Sequence, residues 1–108
     1  MWHPIIRTPF RAKDNRHVFH QYTLVLESDK KELRDEVSAY LSAKKVPNMI
    51  YYPVPGHRQK MFETFGGFDY DLPVTDWLTE RVISLPMHPE LEQEQLKYIT
   101  ENMLAYFD

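Results

Sequence analysis

A chain of 108 residues with 43% hydrophobic and 14% aromatic side chains has room for one hydrophobic core and enough apolar area to offset the entropy of ordering. Two independent domains and disorder are thereby excluded. Zero cysteines remove disulfides, thiolate nucleophiles and cysteine-based zinc sites together, and a net charge of −3 with dispersed cations leaves no electrostatic footprint for nucleic acid.

Residues 1–16 contain Pro4, Pro9 and a mixed polar composition without sustained periodicity, which predicts an extended lead-in. Arg7, Arg11, Lys13 and Arg16 are read there as solvated linker charge. Met1-Trp2-His3-Pro4 does not open a signal peptide, and no apolar run approaches the roughly 18 residues of a membrane helix, so no membrane partner and a cytoplasmic address are expected. The folded domain is expected over 17–108.

Val18 to Leu26 is rich in β-branched and aromatic residues, with Tyr22, Leu24 and Leu26 on one face at period two, and is predicted as a strand. Asp29 with Glu32 has capping-box character. Leu33, Val37, Tyr40 and Leu41 then recur at helical spacing, predicting a helix over about 29–44 that stops before Pro47. Asn48-Met49-Ile50-Tyr51-Tyr52 is short and apolar and ends at Pro53, as a second strand would. His57 to Phe65 is predicted as a short helix ended by Gly66-Gly67, and Thr75 as the cap of another carrying Trp77 and Leu78. Ile83-Ser84-Leu85 predicts a brief strand. Leu96, Ile99, Met103 and Phe107 form the stripe of a last amphipathic helix. This order gives an α+β fold, a small sheet of about three strands with helices packed mainly on one face.

An autonomous active site is not visible in this pattern. His17 and His20 fall at or in the first strand, where odd and even positions point to opposite faces, so no shared metal is expected. Gly56, Gly66 and Gly67 are too few and scattered for a phosphate-cradling loop, and no Ser sits in a nucleophile elbow. Ile50 to His57 is more informative. Two prolines stiffen it, an aromatic pair precedes them and an imidazole follows, so the segment is either a rigid corner or a loop that positions side chains at a site.

Four stretches carry a family resemblance. They are His17-Val18-Phe19-His20-Gln21-Tyr22, Met49 to Gln59 with its Tyr52-Pro53-x-Pro55-x-His57 element, Leu72-Pro73-Val74-Thr75, and Ser84 to Leu91. In order and spacing they resemble the C-terminal third of the DegT/DnrJ/EryC1/StrS sugar aminotransferases, from about residue 9 to the end. Gly56 departs from the pattern, since a larger apolar residue, often Leu, commonly precedes that histidine.

The resemblance implies the small domain of a fold-type I aminotransferase, with a mainly antiparallel sheet. The intact enzyme would use pyridoxal phosphate to move an amino group from glutamate to a keto group on a nucleotide-linked sugar, in polysaccharide biosynthesis, and would be a homo-oligomer. Lysine and acidic residues of the large domain would hold the coenzyme, so no cofactor is expected in this chain and the chain alone is expected to be inactive. By the same resemblance Tyr52, Pro53, Pro55 and His57 shape the sugar-nucleotide pocket, and His20 and Tyr22 belong to a second element that touches substrate or joins the domains. The alternative is a free-standing interaction module derived from such a domain, using an exposed apolar face. A small RNA-binding domain stacking bases on Phe19 and Tyr22 lacks the basic groove that mode requires.

Overall fold

The computed structural model describes residues 3–108; Met1 and Trp2, which open the expected lead-in and the stretch read against a signal peptide, lie outside the described residues. The secure centre of the fold is β2, Tyr22–Leu26, whose alternation turns Leu24 and Leu26 inward. It pairs antiparallel with β3, Val82–Leu85, in the register Leu24 to Ile83 and Tyr22 to Leu85. On its other edge it pairs antiparallel with β1, Ile6–Arg7, through Ile6 to Leu26 and Arg7 to Val25. The sheet order is therefore β1-β2-β3.

The three-stranded antiparallel sheet agrees with expectation, but its third strand is not the expected one. Asn48 to Tyr52 makes a single bridge, Met49 to Ser84, on the free edge of β3. Asn48 turns the chain away. Its amide bonds the Ser38 carbonyl, the Ser42 hydroxyl and the Val46 carbonyl, and its Oδ1 accepts the Ser38 hydroxyl, tying this segment to a helix instead of to the ladder. The place is taken by Ile6 in the segment read as lead-in, which is buried in the core.

The first strand is also shorter than its composition suggests. Phe19 has φ +47, its N–H is captured by Nδ1 of His17 at 2.8 Å, and its ring stacks on that of His17 at 4.1 Å with the Arg11 guanidinium 4.9 Å from its centroid. A left-handed aromatic cannot continue a ladder. His17 and His20 accordingly precede the strand and do not lie in it.

Helix α1, Leu33–Ala43, and helix α3, Gln93–Ala105, cover the inner face. Leu33, Val37 and Leu41 of α1 and Ile99 and Met103 of α3 meet Leu24, Leu26, Ile83 and Leu85 in one core. Each such side chain contributes about 1.5–3 kcal/mol by leaving water. The caps differ from expectation. Glu32, not Asp29, precedes α1, without a side-chain cap bond. The capping box belongs to α3, where Gln95 reaches back to the Glu92 N–H at 2.8 Å. The helix expected over 57–65 is a chain of 3-10 turns, Gly56–Arg58, Lys60–Phe65 and Gly67–Asp69. Helix α2, Pro73–Thr79, starts at the proline, leaving Thr75 inside it, because Pro suits a first turn whose N–H has no partner.

The outer face of the sheet, Thr23, Val25, Val82 and Ser84, has Thr23 and Ser84 hydroxyls bonded at 2.7 Å. It is here that the proline-rich segment and α2 come together.

Candidate functional site

The segment from Tyr51 to His57 is clamped at both ends. Upstream, Met49 exchanges two backbone hydrogen bonds with Ser84, at 3.1 and 2.7 Å. Downstream, Arg58 N–H bonds the Pro55 carbonyl at 2.9 Å and the Gln59 side chain donates to the Val54 carbonyl at 3.2 Å. With φ fixed at Pro53 and Pro55, little backbone freedom is left between the clamps. Tyr51 and Tyr52 stand edge to face, ring centroids 5.6 Å apart, and Tyr52 remains 67% exposed.

Two cavities meet at Tyr51. One of about 260 Å³ lies between Tyr51, Tyr52 and Pro55 on the loop and Thr75 and Leu78 on α2. The other, about 170 Å³, is lined by His20, Gln21, Asn48, Met49, Tyr51 and Ser84 among others. Both combine aromatic walls with a few hydroxyl, amide or imidazole groups, which suits a ligand with apolar faces and hydrogen-bonding rims.

His57 is turned the other way. Its side chain is only 7% exposed, and neither ring nitrogen has a hydrogen-bond partner. Its Nε2 stands 3.5 Å from Oδ1 of Asp76 on α2. Arg58 holds that carboxylate with both arms of its guanidinium, Nε to Oδ1 and Nη2 to Oδ2, each at 3.2 Å. The Arg58 hydrogen bond, with the Arg58 charge behind it, lowers the Asp76 carboxyl below the ordinary 3.8 and raises the guanidinium in return.

Residues 3–104 match the DegT/DnrJ/EryC1/StrS aminotransferase family. The chain belongs to that family. It is 47% identical over 94 residues to a UDP-N-acetyl-3-dehydro-alpha-D-glucosamine 3-aminotransferase of Acidithiobacillus ferrooxidans, covering 87% of this chain and 24% of the relative. It is 35% identical over 103 residues to a pleiotropic regulatory protein of Geobacillus stearothermophilus, covering 95% and 26%. Among solved structures, Streptomyces venezuelae DesV in complex with a ketimine intermediate superposes with a TM-score of 0.83 at 28% identity, covering 95% of this chain and 26% of that one. The chain thus spans about a quarter of the length of the relatives it matches.

DegT/DnrJ/EryC1/StrS aminotransferases depend on pyridoxal phosphate, and the residues present here do not fit that coenzyme. Its aldehyde needs a lysine in an enclosed site with a carboxylate for the pyridine nitrogen. All seven lysines, Lys13, Lys30, Lys31, Lys44, Lys45, Lys60 and Lys97, are exposed. Lys45 borders a cavity, but the lining there includes Pro47, His88, Gln95 and Tyr98 and no carboxylate. Among the described residues no three His, Asp or Glu side chains come together as a metal site, and no helix is long and apolar enough to cross a membrane.

The structure places the sequence-predicted site residues of this family member in four positions. Tyr52 and Pro55 share the larger cavity, with the exposed Pro53 between them in sequence. His20 faces the smaller one, separated from Tyr52 by Tyr51. Tyr22 packs against the core, paired with Leu85 and 5.4 Å from the Phe19 ring. His57 borders a third, mostly apolar cavity of about 270 Å³ with Phe62, Phe65, Gly67 and Tyr70. Sequence reasoning missed Tyr51 as the shared wall, and Thr75 and Asp76 as the contribution of α2. The doubled tyrosine hinted at the first. Nothing in a single sequence ties Arg58 to Asp76 across the intervening turns.

Proposed function

We propose that this chain acts as the C-terminal small domain of a pyridoxal-phosphate-dependent nucleotide-sugar aminotransferase. In the intact enzyme an amino group passes from glutamate to a keto group on the sugar. The observation that carries this reading is the 47% identity to an enzyme named for amino transfer at position 3 of a UDP-linked 2-acetamido sugar, and a UDP-linked 3-keto sugar is therefore the substrate class we assign. Tyr52, Pro53 and Pro55 form a stiff wall of the sugar-nucleotide pocket, His57 meets the ligand from the neighbouring cavity, His20 flanks the pocket across Tyr51, and Tyr22 backs it from the core. The large domain supplies the lysine and the acidic partner of the coenzyme. The chain by itself is inactive, because its lysines lie on open surface.

The test uses the purified 108-residue chain beside the full-length protein encoded with it, each given pyridoxal phosphate, glutamate and a UDP-linked 3-keto sugar. Formation of 2-oxoglutarate by the long form alone is expected. Turnover by the short chain would sink the assignment. In the long form His57→Ala should raise the Michaelis constant for the sugar nucleotide by roughly tenfold, the equivalent of one lost hydrogen bond to ligand, without altering the coenzyme absorbance. An unchanged Michaelis constant would remove His57 from the pocket.

A second reading, an interaction module that uses its apolar surface, is favoured by one observation. Met61, Phe65, Tyr70 and Val74 are all exposed around the 3-10 turns and α2. In the intact enzyme the same surface would meet the large domain or a second subunit.

A further inference from the structure

We propose that Asp76 is the positioning residue for His57: its Oδ1, 3.5 Å from Nε2 and held in place by Arg58, selects the ring orientation in which Nε2 carries the proton and Nδ1 is left as an acceptor. The assignment deepens the reading of the site given above and rests on that reading for its consequence, though not for its geometry.

A neutral imidazole has one donor and one acceptor nitrogen, and which is which follows from its neighbours. Here both nitrogens are out of water and unpartnered, a condition that costs free energy until something closes on them. A carboxylate with depressed affinity for protons can only accept, so the nitrogen facing it is the one that bears hydrogen. Arg58 makes the choice rigid. It follows His57 directly in the same 3-10 turn, and its Nε lies 3.2 Å from the oxygen that Nε2 faces. A rotation of the ring or the carboxylate that shortens the 3.5 Å separation would complete the His57 bond.

The cavity beside the ring supplies no rival charge. It is lined by Gly56, Phe62, Phe65, Gly67 and Tyr70, of which the Tyr70 phenol is the one titratable side chain besides His57. A partner for Nδ1 must therefore be a donor, a hydroxyl or an amide N–H, and not an anion. Both groups occur on an acetamido sugar. His57 would then recognise the sugar ring and not the diphosphate.

The experiment is NMR of the full chain with 15N-labelled histidine, at a pH where imidazole is neutral, with His57 assigned from His57→Gln. The expected result is a His57 ring locked with the proton on Nε2 and that proton protected from exchange with water. Asp76→Asn should lose the locked pattern and exchange the proton roughly tenfold faster, the equivalent of one charge-assisted hydrogen bond, and Asp76→Glu should restore the pattern in part. His57 signals unmoved by Asp76→Asn would overturn the proposal. If that variant does not fold, the unsubstituted chain still decides: a proton on Nδ1, or an Nε2 proton exchanging as fast as in free histidine, overturns it as well. The sugar-nucleotide reading fails separately, through an unchanged Michaelis constant in His57→Ala, which leaves the tautomer of the unsubstituted chain where it is.

Discussion

Gly56 and Gly67 flank the same turn and ask for opposite treatment. A Cβ added to Gly67 would lie 2.5 Å from the His57 carbonyl oxygen and 3.0 Å from Cβ and the carbonyl oxygen of Phe62. Those are mainly backbone contacts, so the turn carrying His57 must move, at a cost of about 1–3 kcal/mol. A Cβ on Gly56 meets nothing within 4 Å. Its backbone is already in a 3-10 turn, so Gly56→Ala should stabilise by about 0.4–1 kcal/mol by narrowing the unfolded ensemble. Chemical denaturation of the two variants checks the pair, and the reverse order would show that the turn is not packed as described. The open space beside Gly56 leaves a gap that a larger side chain could fill, and the loop is held by Met49, Arg58 and Gln59.

At the level of elements, long-range ties depend on carboxylates that must stay ionised. Glu36 of α1 accepts from Lys30 at 2.8 Å and from the Tyr106 hydroxyl at 2.7 Å, joining α1 to the end of α3. The Lys30 bond, followed by the Tyr106 bond, holds its carboxyl below the ordinary 4.5. Asp76 plays the same part between the turn at 56–58 and α2. Both acids have folded values depressed below the unfolded ones, so their contribution is complete above about pH 4.5 and disappears as pH falls through the depressed values. The melting temperature should be flat from neutrality to about pH 5 and drop below pH 4.5. Glu36→Gln, which cannot titrate, should show a shallower drop over that window. An equal slope in both would mean the tie carries no weight.

These ties also mark the limit of what a sequence displays. Helices α1 and α3, the later half of the first strand and β3 were legible because Leu33, Val37, Leu41, Ile99 and Met103 repeat at helical spacing and Leu24 and Leu26 at strand spacing, patterns that burial imposes locally. Ile6 was not, since a strand of two residues has no period and acquires its place only by pairing with Leu26. Asn48 to Tyr52 and Val18 to Gln21 have strand-like composition, yet side-chain bonds from Asn48 and His17 take the backbone elsewhere. The site divides in the same way. Tyr52, Pro53, Pro55 and His57 could be named because they are contiguous. Asp76, which addresses the ring from another helix, could not.

The whole molecule is more open than its length requires. Its radius of gyration is 15.7 Å, against roughly 13 Å for a compact chain of this size. The excess fits the region of 3-10 turns, which contributes one residue, Gly67, to the buried set and leaves Met61 71% and Phe65 80% exposed. Apolar area left in water is a standing drive to association. Burying each of these side chains is worth about 1.5–3 kcal/mol, and 1.4 kcal/mol is tenfold in an equilibrium constant. The isolated chain should therefore sediment as a dimer or larger species at tens of micromolar, and Met61→Ser with Phe65→Ser should weaken that association by at least about tenfold. The substitutions touch no core side chain, so the melting temperature should hold while the sedimentation coefficient falls. A monomer at all concentrations before substitution would mean that this surface is tolerated in water, and its part in joining the domain to a large domain or a second subunit would lose its physical basis.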